Sequence, residues 1–473
     1  MTTNIIDKIY INGAFLTPHG TELYELVNPT TNEVTGQVRL GDEEDARKAI
    51  AAAKAAFGQF STATKEERIG YLQRLHDAVI KRRDEMVAAM VEEYGGTLQF
   101  SRLSTDYAIG NFLQAIETLR KFDFERTVGQ SKVVLVPLGV VGIITPWNAS
   151  SSFITNKLAT AIAAGSTAVI KPSEISARQT KVLVEAMHEA GLPAGVFNIV
   201  NGRGEVVGAE LTRSKDVAKI TFTGSTAVGK AIARGAADTL KRVTLELGGK
   251  SPNIILDDAD LTKAIPLAIM AGFANNGQAC IAGTRLLVPE SRMDEIRKLV
   301  KATVERVKVG NPADEDTAIG PMVSKKQYER VQSYIRLGIE AGAELLTGGE
   351  GHPAGLEAGN FVKPTVFTGV TNDMRIAREE IFGPVLSIIT YRTEEEAVVI
   401  ANDTDYGLQA YVSSADTERA NRVASQIMAG RVQVNSFKHD PQAPFGGFKQ
   451  SGIGREYGVY GLEEYVEPKT IIS

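Results

Sequence analysis

The chain has 473 residues, of which 43% are hydrophobic and 23% are charged. A chain of this length exceeds one typical hydrophobic core, so we expect about two or three domains. Its formal net charge of -5 argues against a surface that binds nucleic acid or an anionic membrane. The N-terminal residues lack the basic and apolar regions of a signal peptide, and no apolar run is long enough to span a membrane. We therefore expect a cytoplasmic protein.

The first predicted elements are helices. Residues 43–60 are rich in alanine with charges on one side, and residues 65–94 continue with apolar residues at helical spacing. Residues 131–137 alternate as a strand and form a candidate hairpin arm. The sequence thus predicts a helical layer followed by an arm that leaves the main body.

Short β-rich runs and helices then alternate. The runs at 140–144, 166–170, 196–200 and 219–223 are predicted strands, and they are separated by predicted helices at 152–164, 177–190 and 205–213. This alternation is typical of a parallel, doubly wound, Rossmann-like α/β sheet. A second α/β alternation follows residue 250, with predicted strands at 284–288 and 385–391.

The strongest candidate for a nucleotide site follows the predicted strand at 219–223. There Gly224 and Ser225 lead into a helix that contains Gly229, and the N-terminal amides of such a helix can face a pyrophosphate. Lys230 is followed by Ala231 instead of the Ser or Thr of a phosphate-binding P-loop. The spacing therefore disfavours ATP cleavage.

Two further segments carry weaker nucleotide signals. Gly202, Gly204 and Gly208 miss the GxGxxG spacing by one residue, and a tight strand-to-helix turn explains them equally well. Lys171 and Glu174 follow a predicted strand and would lie at the ligand edge of the sheet. Glu174 is a candidate to accept hydrogen bonds from ribose hydroxyls and to repel a 2′-phosphate, although a solvated charged turn is the alternative.

Cys280 is the only cysteine, which excludes an internal disulfide. A structural zinc site takes several thiolates or imidazoles, so no metal site is expected. A lone cysteine is often a small buried hydrophobe. The alternative is that Cys280 is a catalytic nucleophile, and the other motifs of the chain favour this interpretation.

Seven segments, in order along essentially the whole chain, together resemble the aldehyde dehydrogenase superfamily. They are Thr-Pro-Trp-Asn at 145–148, Lys-Pro-Ser-Glu at 171–174, Phe-Thr-Gly-Ser at 222–225, the run at 243–253, the run ending in the cysteine at 273–280, Glu-Glu-Ile-Phe-Gly-Pro at 379–384 and the glycine-rich run at 444–452.

The resemblance implies a covalent oxidation of an aldehyde. Cys280 would be the nucleophile that forms a thiohemiacetal and then a thioester. The side chain of Asn148 would stabilise the oxyanion beside the backbone N–H of Cys280. Glu246 would be the general base that activates water, with a pKa raised by its apolar surroundings. We also expect nearby donors to favour the thiolate of Cys280.

The resemblance also implies the residues that bind the cofactor. NAD is expected, and NADP is the less favoured alternative that Lys171 leaves open. The implied contacts are Lys171 and Glu174 at the adenosine ribose, Gly204 and Gly208 at the adenine, Gly224, Ser225 and Gly229 at the pyrophosphate, the Leu247 backbone at the nicotinamide amide, Glu380 at the nicotinamide ribose, Phe382 beside the ring, and Thr145 and Trp147 lining the cleft.

The substrate is less well defined by the sequence. Residues 149, 150, 153, 156 and 157, with the stretch 435–441, are expected to flank an aldehyde tunnel. Lys438 and His439 are candidates to meet a substrate carboxylate, and a solvated rim is the alternative. No arginine pair for a carboxylate stands out.

Three alternatives to a general aldehyde dehydrogenase remain. One is a relative that transfers the acyl group to coenzyme A or to phosphate instead of water, which Glu246 argues against because a water-activating base is superfluous there. Another is a relative specific for semialdehydes. The third is a catalytically silent structural homologue, which the joint presence of Cys280, Glu246 and Asn148 argues against.

The resemblance implies three structural parts. A cofactor-binding domain would comprise residues 1–249, interrupted by the arm at about 120–138. A catalytic domain would comprise residues 250–450, and residues 451–473 would join the arm in an oligomerisation element. Because a free strand edge tends to pair, a homodimer or homotetramer is expected.

Overall fold

The computed structural model describes residues 4–472. Met1–Thr3 of the predicted cofactor-binding domain and Ser473 of the predicted oligomerisation element lie outside the described residues. The strands are β1 (Ile5–Ile6), β2 (Ile9–Ile11), β3 (Ala14–Leu16), β4 (Leu23–Val27), β5 (Val34–Arg39), β6 (Glu125–Val128), β7 (Ser131–Pro137), β8 (Val140–Ile144), β9 (Thr167–Lys171), β10 (Phe197–Ile199), β11 (Val217–Thr223), β12 (Arg242–Glu246), β13 (Pro252–Ile255), β14 (Arg285–Pro289), β15 (Glu344–Thr347), β16 (Thr365–Thr368), β17 (Val385–Tyr391), β18 (Gln409–Ser413), β19 (Arg431–Val434), β20 (Gly452–Ile453) and β21 (Val466–Ile471).

The α-helices alternate with these strands. They are α1 (Glu43–Phe60), α2 (Lys65–Val79), α3 (Arg83–Tyr94), α4 (Leu98–Lys121), α5 (Ser150–Ala164), α6 (Ala177–Glu189), α7 (Ala209–Arg213), α8 (Thr226–Ala237), α9 (Leu261–Phe273), α10 (Met293–Val304), α11 (Lys325–Glu340), α12 (Arg375–Arg378), α13 (Glu394–Asn402), α14 (Thr417–Ala424) and α15 (Gly458–Glu463).

The first large sheet has eight strands in the order β20-β12-β11-β8-β9-β10-β2-β3. Strands β12, β11, β8, β9 and β10 are parallel, whereas β20, β2 and β3 pair antiparallel. Apolar side chains alternate between its two faces. Helices α1, α7 and α8 cover one face, and α2, α4, α5 and α6 cover the other. The predicted doubly wound α/β sheet is therefore confirmed, with antiparallel strands added at its margins.

The second large sheet has seven strands in the order β15-β16-β17-β14-β13-β18-β19. All of its pairs are parallel except β15 with β16. The two large sheets draw their strands from before and after residue 250, except that β20 returns to the first sheet. The domain boundaries themselves stay predictions.

The arm forms a separate three-stranded antiparallel sheet in the order β21-β7-β6. Its register pairs Val466 with Pro137 at one end and Ile471 with Lys132 at the other. The arm was predicted to begin near residue 120, but α4 continues to Lys121 and β6 begins at Glu125. No helix among residues 4–472 is long and apolar enough to cross a membrane.

Two predicted helices are divided. The helix predicted at 65–94 is interrupted by a 3₁₀ turn at Ile80–Arg82. The helix predicted at 205–213 begins as a π-helical turn at Gly204–Gly208 and continues as α7. Such local changes of helical pitch leave the apolar spacing nearly intact, so the sequence pattern does not reveal them.

The site lies where the two large sheets meet. In the first sheet, Lys171 and Phe222 are in register with Ile144, and Glu246 is in register with Thr223, so the carboxyl ends of four neighbouring strands share one edge. The segments that precede β13, β14 and β17 approach this edge from the second sheet. Ligands of open α/β sheets bind beyond the carboxyl ends of the parallel strands.

Candidate functional site

The cysteine loop (residues 274–280) follows α9 and is shaped by amide side chains. Asn275 and Asn276 have φ angles of 55° and 59°, a left-handed conformation that asparagine tolerates better than most residues. The hydroxyl of Tyr94 donates to Asn275 Oδ1 at 2.7 Å, and Gln278 Nε2 donates to the same hydroxyl at 3.1 Å. These buried bonds fix the backbone that carries the nucleophile.

Asn148 is anchored to the same loop. Its Nδ2 donates to the carbonyl oxygen of Gln278 at 2.9 Å, and Asn275 Nδ2 donates to the Asn148 carbonyl at 3.0 Å. The side chain is 6% exposed and lies just before α5. Because this amide has two N–H groups and only one is used here, the other is free to donate to a bound group.

Glu246 ends β12 and is almost completely buried. Its side chain is 3% exposed, and neither carboxylate oxygen has a hydrogen-bond partner within residues 4–472. Burial and the nearby carboxylate of Glu456 raise its pKa well above the ordinary value of a glutamate. A Cβ at Gly446 would lie 2.8 Å from Oε1, so the glycine-rich run must approach closely here.

A buried ion pair, which the sequence did not reveal, stands beside Glu246. Lys157 pairs with Glu456, and Asn156 Nδ2 donates to the other Glu456 oxygen at 2.9 Å. Asn156 and Lys157, which are expected to flank a substrate tunnel, are both buried and held by Glu456, and their place beside a tunnel stays a prediction. The available signal was a lysine within the apolar sequence of α5.

The protein groups do not by themselves favour the thiolate of Cys280. The side chain is half-buried, and its burial, together with the carboxylates of Glu380 and Glu246, raises the thiol pKa to about 12. The charge of Arg431 acts in the opposite direction. The expectation that nearby donors favour the thiolate of Cys280 is therefore wrong for the protein without its cofactor.

On the other side of the cysteine, Glu380 contacts the glycine pair after Glu246. Gly249 N donates to Glu380 Oε1 at 3.2 Å, and a Cβ at Gly248 would lie 2.4 Å from Oε2. Burial raises the Glu380 pKa to about 7. The ring of Phe382, a residue with a φ of 64°, packs edge-on against Trp147 with centroids 5.5 Å apart.

The turn at Gly224 lies directly beside the base. Gly224 N donates to the Glu246 carbonyl at 3.0 Å, and the Ser225 hydroxyl caps the N-terminus of α8. A Cβ at Gly229 would lie 2.4 Å from Leu247 Cδ2, so the glycine lets α8 pack against that side chain. The free amides of the first turn of α8 can bind a phosphate.

Lys171 and Glu174 form a mixed-charge cluster with Arg203. Lys171 Nζ lies 3.0 Å from Glu174 Oε2, and Arg203 Nη1 lies 3.6 Å from Glu174 Oε1. Burial raises the pKa of Glu174, but the charge of Lys171 helps to lower it below its ordinary value. The carboxylate therefore stays ionised. Sequence reasoning missed Arg203, which lies between two candidate glycines without a motif of its own.

The remaining predicted cofactor residues line the same region. A Cβ at Gly204 would meet nothing within 4 Å, and one at Gly208 would meet only Ile144 Cδ1, at 3.6 Å. The buried hydroxyl of Thr145 has no hydrogen-bond partner in the described part of the chain.

This arrangement fits a dinucleotide. The Glu174 carboxylate and the Lys171 ammonium group are available for one ribose, and the free amides of the first turn of α8 are available for the phosphates. The Glu380 carboxylate is available for a second ribose, and the hydroxyl of Thr145 is free at the cleft. Among residues 4–472, no group of three or more His, Cys, Asp or Glu side chains could hold a metal ion.

Comparisons with known proteins agree on one family. The model of the aldehyde dehydrogenase family matches residues 15–471. The chain is 46% identical to 3-succinoylsemialdehyde-pyridine dehydrogenase of a Pseudomonas species over 98% of both chains.

Solved structures agree as well. Aldehyde dehydrogenase C of Pseudomonas syringae, solved as a cysteine-to-alanine variant with NAD⁺ and octanal, has a TM-score of 0.97 and 45% identity, covering 98% of this chain and 96% of that one. Betaine aldehyde dehydrogenase of Staphylococcus aureus with NAD⁺ has a TM-score of 0.96 and 38% identity, covering 98% and 94%.

Proposed function

Since this chain belongs to the aldehyde dehydrogenase family, we propose that it oxidises an aldehyde to a carboxylic acid through a thioester on Cys280. It is an oxidoreductase that acts on aldehydes, and NAD is its cofactor. The observation that carries the proposal is the meeting of Cys280, Asn148 and Glu246, from three distant segments, at the junction of the two large sheets.

Cys280 acts first. The Cys280 thiol loses its proton to solvent, the sulfur adds to the aldehyde carbon, and the carbonyl oxygen becomes the oxyanion of a thiohemiacetal. The free N–H of Asn148 and the backbone N–H of Cys280 donate to this oxyanion, which is where negative charge develops. Bonds from Asn148 to Gln278 hold the amide in place, so little reorganisation is needed at the moment of reaction.

NAD supplies the acceptor for the hydride that leaves the thiohemiacetal carbon. Lys171, Glu174, the first turn of α8 and Glu380 are the residues that would hold it. Lys171, Glu174 and the first turn of α8 lie along one edge of the first sheet, and Glu380 lies opposite them in the second sheet. A dinucleotide bound to all of them would therefore reach the cysteine loop. Phe382 and Trp147 would exclude water from the reacting carbon.

Glu246 acts last. It takes a proton from water, the water oxygen attacks the thioester carbon, and the carbon–sulfur bond breaks to release the acid and the Cys280 thiol. A carboxylate with a raised pKa is a better base at neutral pH than an ordinary glutamate. The net change consumes one aldehyde, one NAD⁺ and one water.

The substrate is proposed from the relatives and from the lining of the cleft. Octanal is bound in the structure of aldehyde dehydrogenase C, and the Pseudomonas relative is named for a pyridyl semialdehyde. In this protein Tyr411 stacks on Phe437, and Phe445 meets Tyr457 edge to face. They fit an aldehyde with an extended apolar body.

We further propose a cytoplasmic homodimer or homotetramer that pairs through the arm. Strands β6 and β21 are the outer strands of the arm sheet, and neither has a second partner within the described residues. Exposed strand edges of this kind associate readily.

Purified enzyme should form NADH with a panel of aliphatic, aromatic and ω-carboxy aldehydes. Cys280→Ala should abolish NADH formation while NAD binding and the melting temperature stay unchanged, because only the covalent step is removed. Product analysis with and without coenzyme A distinguishes hydrolysis from acyl transfer. Turnover by Cys280→Ala, or an acyl-coenzyme A product, would contradict the proposal.

A further inference from the structure

One arginine at the site has unused hydrogen-bond donors. Arg431 begins β19, where it is in register with Gln409 of β18. Its Nε donates to Gln409 Oε1 at 2.9 Å, and its Nη1 contacts His439 Nδ1 at 3.3 Å. A guanidinium has five N–H groups, so about three of them have no protein partner among residues 4–472.

Arg431 also has no carboxylate within ion-pairing distance among residues 4–472. The guanidinium is half-buried and lies over the ring of Phe445, 4.8 Å from its centroid. Withdrawing an unpaired cation from water costs free energy unless a bound group compensates it. By contrast, the buried ammonium of Lys157 is already paired with Glu456.

The strand order places this cation on the substrate side of the cysteine. In the second sheet, Glu380 lies just before β17, and Cys280 lies before the neighbouring strand β14. Strands β13, β18 and β19 follow in that order on the side of β14 that is away from β17. Arg431 therefore lies beyond Cys280 from the proposed cofactor residues. Tyr411 connects the two regions, because its hydroxyl donates to the Ile281 carbonyl at 2.9 Å.

The surroundings of the guanidinium are mainly aromatic, and the charge of the Asp440 carboxylate acts on it without forming an ion pair within the described residues. His439 lies between the rings of Tyr107 and Tyr457, with centroid distances of 5.2 Å and 5.0 Å. Burial and the adjacent Arg431 lower the His439 pKa to about 4, so the imidazole is neutral at physiological pH and can accept from the arginine. His439 is thus not the residue that attracts an anion.

We propose that Arg431 binds a carboxylate at the far end of the substrate, which makes ω-carboxy aldehydes the preferred substrate class. The inference rests on the proposed function and deepens it. Charge-assisted hydrogen bonds from a guanidinium to a carboxylate are among the strongest polar contacts in proteins. The aldehyde end would reach Cys280 while the aromatic side chains pack against the intervening chain.

The test compares each ω-carboxy aldehyde with its methyl ester over a series of chain lengths. The wild-type enzyme should favour the acid in kcat/KM by roughly tenfold or more at its best length, as expected for a charge-assisted bond. Arg431→Met should bring this ratio near one, mainly by raising KM for the acid, and Arg431→Lys should restore part of it.

Two matched variants serve as controls. Arg422→Met removes an exposed arginine of α14 whose side chain makes no hydrogen bond within residues 4–472, and it should leave the ratio unchanged. Lys438→Met removes the exposed cation that is nearest to Arg431 in sequence, and it should also leave the acid-to-ester ratio unchanged. A ratio that depends on Lys438 and not on Arg431 would overturn the inference.

Further outcomes are distinct. Preference for the ester or for plain alkanals in the wild type would overturn the inference and leave the proposed oxidation intact, whereas no NADH with any aldehyde would overturn the proposed function. Equal use of an acid and an uncharged keto-aldehyde would show recognition of a neutral acceptor instead. If Arg431→Met does not fold, stronger competitive inhibition of the wild type by dicarboxylates than by monocarboxylates of equal length is the required result.

Discussion

Asn148 Nδ2 lies 2.9 Å from the carbonyl oxygen of Gln278, two residues before the nucleophile. This bond joins the first sheet to the cysteine loop and sets the direction of the remaining Asn148 N–H. The proposed oxyanion site therefore depends on a contact between residues 130 positions apart in the chain.

Asn148→Ala should lower kcat by roughly 10²- to 10³-fold with little change in KM, because an oxyanion donor acts mainly in the transition state. Steady-state kinetics with one aldehyde measures the effect. NAD affinity, measured by fluorescence, should be unchanged and controls for folding. A variant with near-normal kcat would remove Asn148 from the oxyanion site.

Glu246→Gln should form NADH once and then stall, because hydride transfer precedes the step that needs the base. Rapid mixing should show a burst near one NADH per active site, and mass spectrometry of the quenched protein should find the acyl group on Cys280. The absence of both would mean that Glu246 acts before hydride transfer, for example on the thiol.

Alkylation of the thiol should be slow at neutral pH and should keep rising through alkaline pH. The raised pKa of about 12 means that the thiolate fraction grows with pH far beyond the range in which a free cysteine, of pKa near 8.5, is already ionised. Cys280 is the only cysteine, so iodoacetamide labelling of the cofactor-free enzyme reports on it alone. Glu380→Gln removes one of the two carboxylates that raise this pKa and should speed labelling at neutral pH. A labelling profile that levels off near pH 9 would contradict the prediction.

NAD should be favoured over NADP by roughly tenfold or more in kcat/KM, since Glu174 would face the 2′-phosphate. Glu174→Ser should narrow this difference in kcat/KM by lowering KM for NADP, because the carboxylate that repels the 2′-phosphate is removed while Lys171 loses its partner and can face the phosphate. Adding Arg203→Gln to this variant should reverse part of that gain. An unchanged cofactor ratio in Glu174→Ser would separate Glu174 from the cofactor site.

The sequence by itself determined the fold class and the chemical type of the reaction. Strands such as Val140–Ile144 are apolar at every position because both faces of a parallel sheet are buried, and that pattern is local. The reaction needs a soft nucleophile, an amide donor and a base. Cys280, Asn148 and Glu246 carry these groups in recognisable local motifs.

Tertiary structure decided the charges and partners of those groups. Lys157 and Glu456 are 299 positions apart, and the pKa of Glu246 depends on both. Arg203 joins Glu174, and Arg431 joins His439, through side-chain directions that no local pattern specifies. Electrostatic effects depend on distance and burial, and only the folded chain sets these quantities, so the thiol pKa and the unpaired guanidinium could not be predicted from the sequence.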